Sequence, residues 1–367
     1  MQLNTRAQRG RDNNFHLIRH LAAAAVVLTH SYSVVTGVYE SEPLVTLFGD
    51  SVGHYAVRVF FVLSGFLIAQ SITANSDPLR FAVSRLLRIF PALLIAVALT
   101  SLVLGPLLTA HSTSAYFADA DLARYIVGAL STLATDNQLP GLFATLPEAG
   151  NVNEPLWTLK YELTAYFSVG LVIAISLVLR ARALGYVTAM VIAACVTAFA
   201  ALPLDDLPDA ARNAFVLFLS FYLGAAAFLL RERIALNPAG LVLLAGFAVL
   251  AHGSTLATVF ETLFIAYAVM WLAFLPGLPT RRLEGLGDAS YGIYIYAFPI
   301  QQALRLYFPE IDPLTLFAGA MALTTPLALA SWHVIEKPCL DSRKAIVSAT
   351  ADIAAHLSGL RKRAAGG

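Results

Sequence analysis

Residues 15–36 read FHLIRHLAAAAVVLTHSYSVVT, and this stretch decides what kind of protein the chain can form. It is apolar over the length of a membrane-spanning helix, which needs about 20 such residues. Its ionisable side chains include Arg19 near its start and His30 eleven residues later. That spacing is three helical turns plus about 20°, so the two side chains share one face and lie about 16 Å apart along the axis. The sequence therefore predicts a spanning helix with an arginine at its first end and an imidazole deep in the membrane.

The composition of the whole chain extends this interpretation. Hydrophobic residues make up 58% of the 367 residues and charged residues 13%, and the mean hydropathy is +0.71. Soluble domains are about 45–50% apolar and about 25% charged, so a soluble chain of this size could not bury so much apolar surface. The net charge of +1 says little by itself, but the sequence has no basic stripe of the kind that binds nucleic acid, so no nucleic-acid partner is expected. The two cysteines, Cys195 and Cys339, lack the spacing of metal ligands, and no metal is expected.

Nine further apolar segments follow the first, at lengths that suit a bilayer. We therefore predict an all-α fold, a polytopic transmembrane bundle of ten helices at 15–36, 55–74, 88–110, 155–179, 184–203, 212–230, 237–252, 256–276, 288–308 and 313–335. The seventh and eighth segments are so close that a tight hairpin is expected at His252 and Gly253.

The basic residues test this count, because Lys and Arg gather in cytoplasmic loops. With the N-terminus in the cytoplasm, 19 of the 24 Lys and Arg residues fall on the cytoplasmic side, and the loop acids are mostly on the other side. We predict a multi-pass protein of the bacterial inner membrane with both termini cytoplasmic. Its parts are a basic N-terminus at 1–14, a transmembrane domain at 15–338 and a basic tail at 339–367.

The longest stretch outside the helices, 111–154, lies on the predicted outer side. Its prolines and glycines indicate a loop, with a short interfacial helix near 119–135. Long ordered loops often carry binding specificity, so we expect this loop to help select the substrate.

Polar residues inside the first two spans are candidates for chemistry, because ionisable groups there are costly and usually face a protein interior or a wet cavity. His30 is a candidate general base, since imidazole transfers protons near neutral pH. The alternative is a buried histidine that hydrogen-bonds to Ser31 or to a neighbouring helix, and the matching phase of Arg19 keeps both interpretations open. In the second span, Ser64 and Gly65 form a small-residue notch that favours close helix packing or the passage of a ligand.

Two arginines, Arg85 and Arg88, precede the predicted third span and project from neighbouring positions on one helix surface. Such a pair suits phosphate groups, which arginine binds with planar donors. The alternative is ordinary anchoring of a cytoplasmic helix end.

Further polar residues gather at the ends of three later spans. At the outer start of the fourth span, Glu162 is a candidate to orient His30 or to bind a sugar hydroxyl, while Trp157 and Tyr161 fit an interfacial aromatic belt. The ninth span opens with Asp288-Ala289-Ser290-Tyr291-Gly292, and Glu336 ends the tenth, so both place polar groups at the inner face.

Together these stretches resemble the membrane-bound acyltransferase-3 family over essentially the whole membrane portion. The family's arginine-x10-histidine motif is similar to Arg19 and His30. Four further family segments match this sequence in order, at 60–66 (FFVLSGF), 85–91 (RLLRIFP), 156–162 (LWTLKYE) and 290–294 (SYGIY). The chain departs from the family's usual pattern at His16, at Lys160 and at Tyr296-Ala297, so a second histidine that some members carry near the last position is missing.

The resemblance implies an enzyme that takes an acyl group, usually acetyl, from cytoplasmic acyl-CoA as a co-substrate, with no permanently bound cofactor. The acceptor would be a hydroxyl of a cell-surface or secreted glycan or of a lipid-linked sugar. We expect Arg19, Arg85 and Arg88 to hold the phosphates of acyl-CoA and His30 with Glu162 to act in transfer, either directly or through an acyl-histidine. The acceptor would lie against Asn153, Trp157 and Tyr161, while Ser64, Gly65, Ser290, Tyr291 and Glu336 are motif residues with a structural role. The alternative is a transporter or flippase for a lipid-linked sugar or an acyl group, although no repeated halves of the kind common in transporters are visible.

Overall fold

The computed structural model describes residues 3, 13–132, 137–179, 183–202, 207–276 and 287–350. Several basic residues that set the predicted orientation, among them those at 6–11, 180–182, 281–282 and 361–363, lie outside these ranges.

The described chain consists of helices joined by turns and loops, and it contains no β-strand within those ranges. In chain order the α-helices are α1 (Phe15–Thr36), α2 (Val45–Phe48), α3 (Val52–Ala74), α4 (Pro78–Ala98), α5 (Gly105–Leu108), α6 (Thr113–Ala118), α7 (Ala120–Ser131), α8 (Leu159–Leu179), α9 (Ala183–Ala201), α10 (Asp209–Leu229), α11 (Pro238–Leu250), α12 (Ala257–Ala273), α13 (Ser290–Tyr307), α14 (Pro313–Ser331) and α15 (Lys337–Asp341). Short 3₁₀ turns lie at Tyr39–Ser41 and Glu154–Thr158, and π-helical turns at Leu99–Leu104 and Trp332–Glu336.

The all-α fold class is confirmed, and each of the ten predicted spans corresponds to a helix. Among the described residues, seven helical stretches are long and apolar enough to cross a membrane: Phe15–Thr36, Val52–Ala74, Pro78–Leu108, Glu154–Ile175, Leu184–Ala201, Asp209–Leu229 and Pro313–Thr350. The apolar helices α11 and α12 are shorter, at 13 and 17 residues, and they form the expected hairpin around His252. The protein is thus a multi-pass membrane protein, while the count of ten spans and the cytoplasmic termini stay predictions.

The third span begins earlier than predicted. Its helix α4 starts at Pro78, ten residues before the predicted start, because the Asp77 carboxylate caps it by accepting from the N–H groups of Leu79 at 2.9 Å and Arg80 at 3.2 Å. Proline fits the first helical position, where its missing N–H costs nothing. Arg85 and Arg88 therefore lie inside the helix, facing its neighbours, and not in front of it.

Helices α3 and α10 cross more closely than side chains would permit. A Cβ atom on Gly65 would overlap the carbonyl oxygen of Phe221, and one on Gly224 would overlap the carbonyl oxygen of Val62. Each helix thus places a glycine against the other's backbone, as small residues do where membrane helices pack tightly. The predicted packing role of Gly65 is therefore what the crossing requires.

Gly65→Ala is expected to destabilise the protein by about 1–3 kcal/mol or more, the range of overpacking in a dense core, because the atom in the way is backbone. Thermal unfolding in detergent, followed by size-exclusion of the surviving fold, measures the shift. Gly246→Ala in α11 is the matched control, since nothing lies within 4 Å of its added Cβ. A Gly65→Ala protein as stable as that control would contradict the expectation.

The predicted outer loop folds over the ends of α1 and α13. Its expected interfacial helix is α7. The amide of Gln302 in α13 donates to the carbonyl oxygens of Glu148 at 2.8 Å and Asn151 at 2.7 Å. The loop also touches Gly37, the residue that ends α1 with a positive φ of 71°. The loop is thus fixed beside the end of α1 that carries His30.

Candidate active site

A cavity lies between α1, α3, α4, α8 and α13. Its volume is about 110 Å³. Helix α3 supplies most of its apolar wall and the Ser64 hydroxyl, and the other elements supply the remaining polar groups. The lining consists of Arg19, Val57, Phe60, Phe61, Leu63, Ser64, Leu67, Arg85, Arg88, Ile89, Thr158, Leu159, Glu162, Tyr166, Ser290, Tyr291 and Tyr294.

Asp288 joins two of the predicted arginines at one end of this cavity. Its Oδ2 atom is 2.7 Å from Arg19 Nη1 and 2.7 Å from Arg88 Nη2, and Ser290 Oγ donates to Oδ1 at 2.5 Å. The two guanidinium charges and the Ser290 hydroxyl stabilise the ionised form of the buried Asp288 carboxylate. Asp288 is therefore an ionised partner of α1 and α4, a role that sequence analysis did not assign.

Glu336 lies beside the same arginine. It ends the π-helical turn Trp332–Glu336, and its carboxylate is 4.0 Å from Arg88 Nη1 and accepts from Ser331 Oγ at 3.3 Å. Tyr291 completes this side of the site, since its hydroxyl donates to the carbonyl oxygen of Ile89 in α4 at 3.1 Å. The two sequence stretches predicted for the inner face thus meet at Arg88, from positions about 200 and 250 residues away along the chain.

Arg85 differs from the other two arginines. Its guanidinium lies over the ring of Tyr166, 5.5 Å from the centroid, and its buried Nε atom has no hydrogen-bond partner. It makes no ion pair with any carboxylate in the described part of the chain. Arg85 is therefore a cavity-lining cation with capacity left for an anionic group.

Tyr166 connects the remaining polar groups of the wall. Its hydroxyl donates to the Glu162 carboxylate and is 3.3 Å from Ser64 Oγ. Sequence analysis missed Tyr166, although it stands four residues after Glu162, at a spacing that brings side chains together on a helix. Ser64, predicted to favour either close helix packing or the passage of a ligand, also lines the cavity.

His30 lies outside the cavity lining. Its ring is 9% exposed and packs edge to face on Phe298, with ring centroids 5.2 Å apart. Ser31, the partner of the alternative interpretation, instead donates to the carbonyl of Val27 at 2.9 Å and accepts from Gln301 at 2.7 Å. Within the described residues neither ring nitrogen of His30 makes a hydrogen bond, so both are available to a ligand. Glu162 bonds to Tyr166 and not to His30, so its orienting role stays a prediction.

The three residues predicted to bind the acceptor are also not among those that line the cavity. Asn153 donates to the carbonyl of Ile295 at 2.9 Å, and Tyr161 donates to the carbonyl of Ala210 at 3.0 Å. Both side chains tie helices together in the structure. Trp157 makes aromatic contacts with His54 at 5.8 Å and Tyr161 at 5.7 Å between ring centroids, and it packs against the hydrophobic core. Their binding roles stay predictions.

Comparison with known proteins identifies the family of the chain. Residues 12–333 match the family described as "Acyltransferase domain", acyltransferase-3. The chain is 28% identical to the "O-acetyl transferase" of Shigella phage Sf6, over 89% of this chain and 96% of the phage protein. It is 26% identical to "Nodulation protein 10" of Rhizobium leguminosarum bv. viciae, over 94% of this chain and 98% of that protein.

A third relative, from Komagataeibacter xylinus, carries the name of a membrane-bound transacylase and is 27% identical over 79% of this chain and 77% of its own length. No solved structure matches the chain. The family match spans most of the chain, from before α1 to the π-helical turn after α14. It therefore includes every residue that lines the cavity, and the chain belongs to the acyltransferase-3 family of membrane acyltransferases.

Proposed function

We propose that the protein is an O-acetyltransferase that moves an acetyl group from cytoplasmic acetyl-CoA to a hydroxyl of a cell-surface or secreted glycan, in the bacterial inner membrane. The family match supports acyl transfer, and the name of the phage relative supports acetyl as the group and oxygen as its destination. The acceptor in this proposal is a sugar hydroxyl that reaches the protein from the outer side.

The proposal that acetyl-CoA is the donor rests mainly on Arg85, which has no carboxylate partner among the described residues. Coenzyme A presents phosphate groups, and guanidinium is the side chain best suited to bind them. Arg19 and Arg88 already share the Asp288 carboxylate, whereas Arg85 has no carboxylate partner in the described chain. Arg85 is therefore the principal phosphate ligand of the proposal, and Arg19 with Arg88 add positive charge nearby.

The reaction follows from the order of groups along α1. The pantetheine arm extends from the arginines along the apolar wall of α3 and past it towards His30, about 16 Å from Arg19 along the helix axis. The acceptor hydroxyl attacks the thioester carbonyl while His30 takes its proton. The new carbon–oxygen bond forms, the carbon–sulfur bond breaks, and the coenzyme A sulfur leaves with the proton from His30.

Radiolabelled acetyl-CoA given to inverted membrane vesicles of a producing strain tests this function. Acetyl label should appear in the extracted glycan, and mass spectrometry of surface glycans from a deletion strain should show loss of the acetyl group. Vesicles that move a lipid-linked sugar without any acetylated product would favour the transporter alternative and overturn the proposal.

Arg85→Ala is expected to raise the KM for acetyl-CoA by about 10–100-fold, the loss of one or two hydrogen bonds to a charged group. Its effect on stability should be small, because no carboxylate is left unpaired. Initial rates against acetyl-CoA concentration measure the change, with Arg80→Ala as the control, since Arg80 lies on the same helix but off the cavity wall. An unchanged KM in Arg85→Ala would remove Arg85 from the donor site.

A further inference from the structure

The ends of α1 and α3 on the predicted outer side are joined by a buried hydrogen-bond network. Thr29 Oγ1 accepts from the N–H of Gly53 at 2.8 Å and donates to the Glu42 carboxylate at 2.6 Å. A Cβ on Gly53 would stand only 2.9 Å from Thr29, so glycine allows this approach. His30 directly follows Thr29 in the sequence, and His54 directly follows Gly53. The contact between Thr29 and Gly53 thus brings the chain positions of two histidines, on separate helices, near each other.

His54 is oriented by a carboxylate, which His30 lacks among the described residues. The Asp50 carboxylate is 2.7 Å from His54 Nδ1, and its other oxygen is 3.3 Å from Arg58 Nη2. Burial opposes ionisation of Asp50, but the hydrogen bond from His54 and the charge of Arg58 hold its pKa below the usual value. The ionised Asp50 carboxylate accepts a hydrogen bond from the Nδ1–H group of His54. Because the ring proton is then assigned to Nδ1, the Nε2 atom is an acceptor.

The Nε2 atom of His54 is available to a ligand. It makes no hydrogen bond in the part of the chain that the structure describes, and the side chain is 32% exposed. The ring is flanked by Trp157, at 5.8 Å between centroids. His54 stands one turn before Val57, on the face of α3 that continues through Phe61 and Ser64 along the cavity wall. His54 therefore extends that face towards the outer side, where the proposed acceptor enters.

We infer that His54, fixed by Asp50 and flanked by Trp157, binds a second hydroxyl of the acceptor beside the one that reacts at His30, so that the enzyme selects vicinal diols of sugar rings. The inference rests on the proposed function. Two neighbouring imidazoles, each with an unpaired nitrogen, can accept hydrogen bonds from two neighbouring hydroxyls. The hydroxyl at His30 loses its proton in the transfer, while the one at His54 keeps its proton and holds the ring in place.

Two ring alcohols test this selection without knowledge of the natural sugar. Purified protein in nanodiscs receives radiolabelled acetyl-CoA with either trans-cyclohexane-1,2-diol or cyclohexanol. The diol has two hydroxyls, which alone would double its kcat/KM. Beyond that factor, the wild-type kcat/KM should favour the diol by about fivefold, the effect of one neutral hydrogen bond. His54→Leu should lose that preference, and Asp50→Asn should reduce it, while the KM for acetyl-CoA stays unchanged in both.

His252→Leu is the matched control, a histidine in the α11–α12 hairpin away from the cavity. A diol preference that survives in a folded His54→Leu protein would overturn the inference. So would equal use of the two alcohols by the wild type, or transfer to neither by a preparation that acetylates the cell's glycan. Failure of the proposed function would look different, because acetyl-CoA would then label neither glycan nor alcohol.

Discussion

Replacement of His30 with alanine is expected to lower the rate of acetyl transfer by about 10²–10⁴-fold, the usual contribution of a general base. In the proposed reaction His30 is the group that takes the proton of the reacting hydroxyl, since His54 binds the neighbouring hydroxyl. The loss should appear in kcat, with the KM for acetyl-CoA nearly unchanged, because the phosphate-binding arginines stand at the other end of α1.

Initial rates with radiolabelled acetyl-CoA and the recovered folded fraction after size-exclusion measure the His30→Ala effect. His20→Ala is the control on the same helix, because His20 Nδ1 bonds to the backbone carbonyl of His16 at 2.7 Å and His20 is not among the residues that line the cavity. His20→Ala should keep nearly full activity. A folded His30→Ala protein that transfers acetyl at the wild-type rate would remove His30 from the chemistry and leave His54 as the candidate base.

The helices could be predicted from sequence because hydropathy and length alone determine where an apolar segment can lie. Their boundaries follow from local chemistry that is also readable, such as the Asp77-Pro78 cap that extends α4 beyond its predicted start. The number of crossings is harder to predict, because the 13 residues of α11 are fewer than a span usually needs. Neighbouring helices and the bilayer, not its own sequence, decide how such a helix lies.

The site was predicted as separate motifs, and the structure adds the contacts between them. Sequence analysis placed Arg88, Ser290 and Glu336 near one face of the membrane. It could not identify Asp288 as the common partner of Arg19 and Arg88, because the contact with Arg88 joins residues 200 positions apart. The pair of Glu162 and Tyr166 is different, since its four-residue spacing was visible in the sequence and only its hydrogen bond needed the structure.

The histidines show a further limit of sequence patterns. The phase of Arg19 and His30 on α1 predicts a common face, but it does not show which groups from other helices approach them. His54 became a candidate only because Thr29 and Gly53 bring α1 and α3 together. His30 and His54 belong to different sequence motifs, and the contact between α1 and α3 is what relates them.

Asp288→Asn is expected to destabilise the protein by about 3–5 kcal/mol, the cost of leaving a buried charge without its partner. Its carboxylate is 5% exposed and is shared by Arg19 and Arg88, whose side chains are 23% and 13% exposed. With asparagine in its place, two neighbouring guanidinium charges would repel each other in a site of low polarity. Glu336, at 4.0 Å from Arg88, is too far to replace the lost contacts.

Thermal unfolding in detergent tests this expectation against Asp209→Asn, the same substitution in an exposed pair. Asp209 is 3.0 Å from Arg212, with side chains 82% and 45% exposed, and such pairs contribute at most about 1 kcal/mol. If the buried pair stabilises the site as inferred, Asp288→Asn should unfold at a clearly lower temperature, and added acetyl-CoA should restore part of the difference, because its phosphates supply negative charge to Arg19 and Arg88. Equal melting temperatures for the two variants would mean that the arginines find other partners, and the division of roles between Arg85 and the Asp288 cluster would then be wrong.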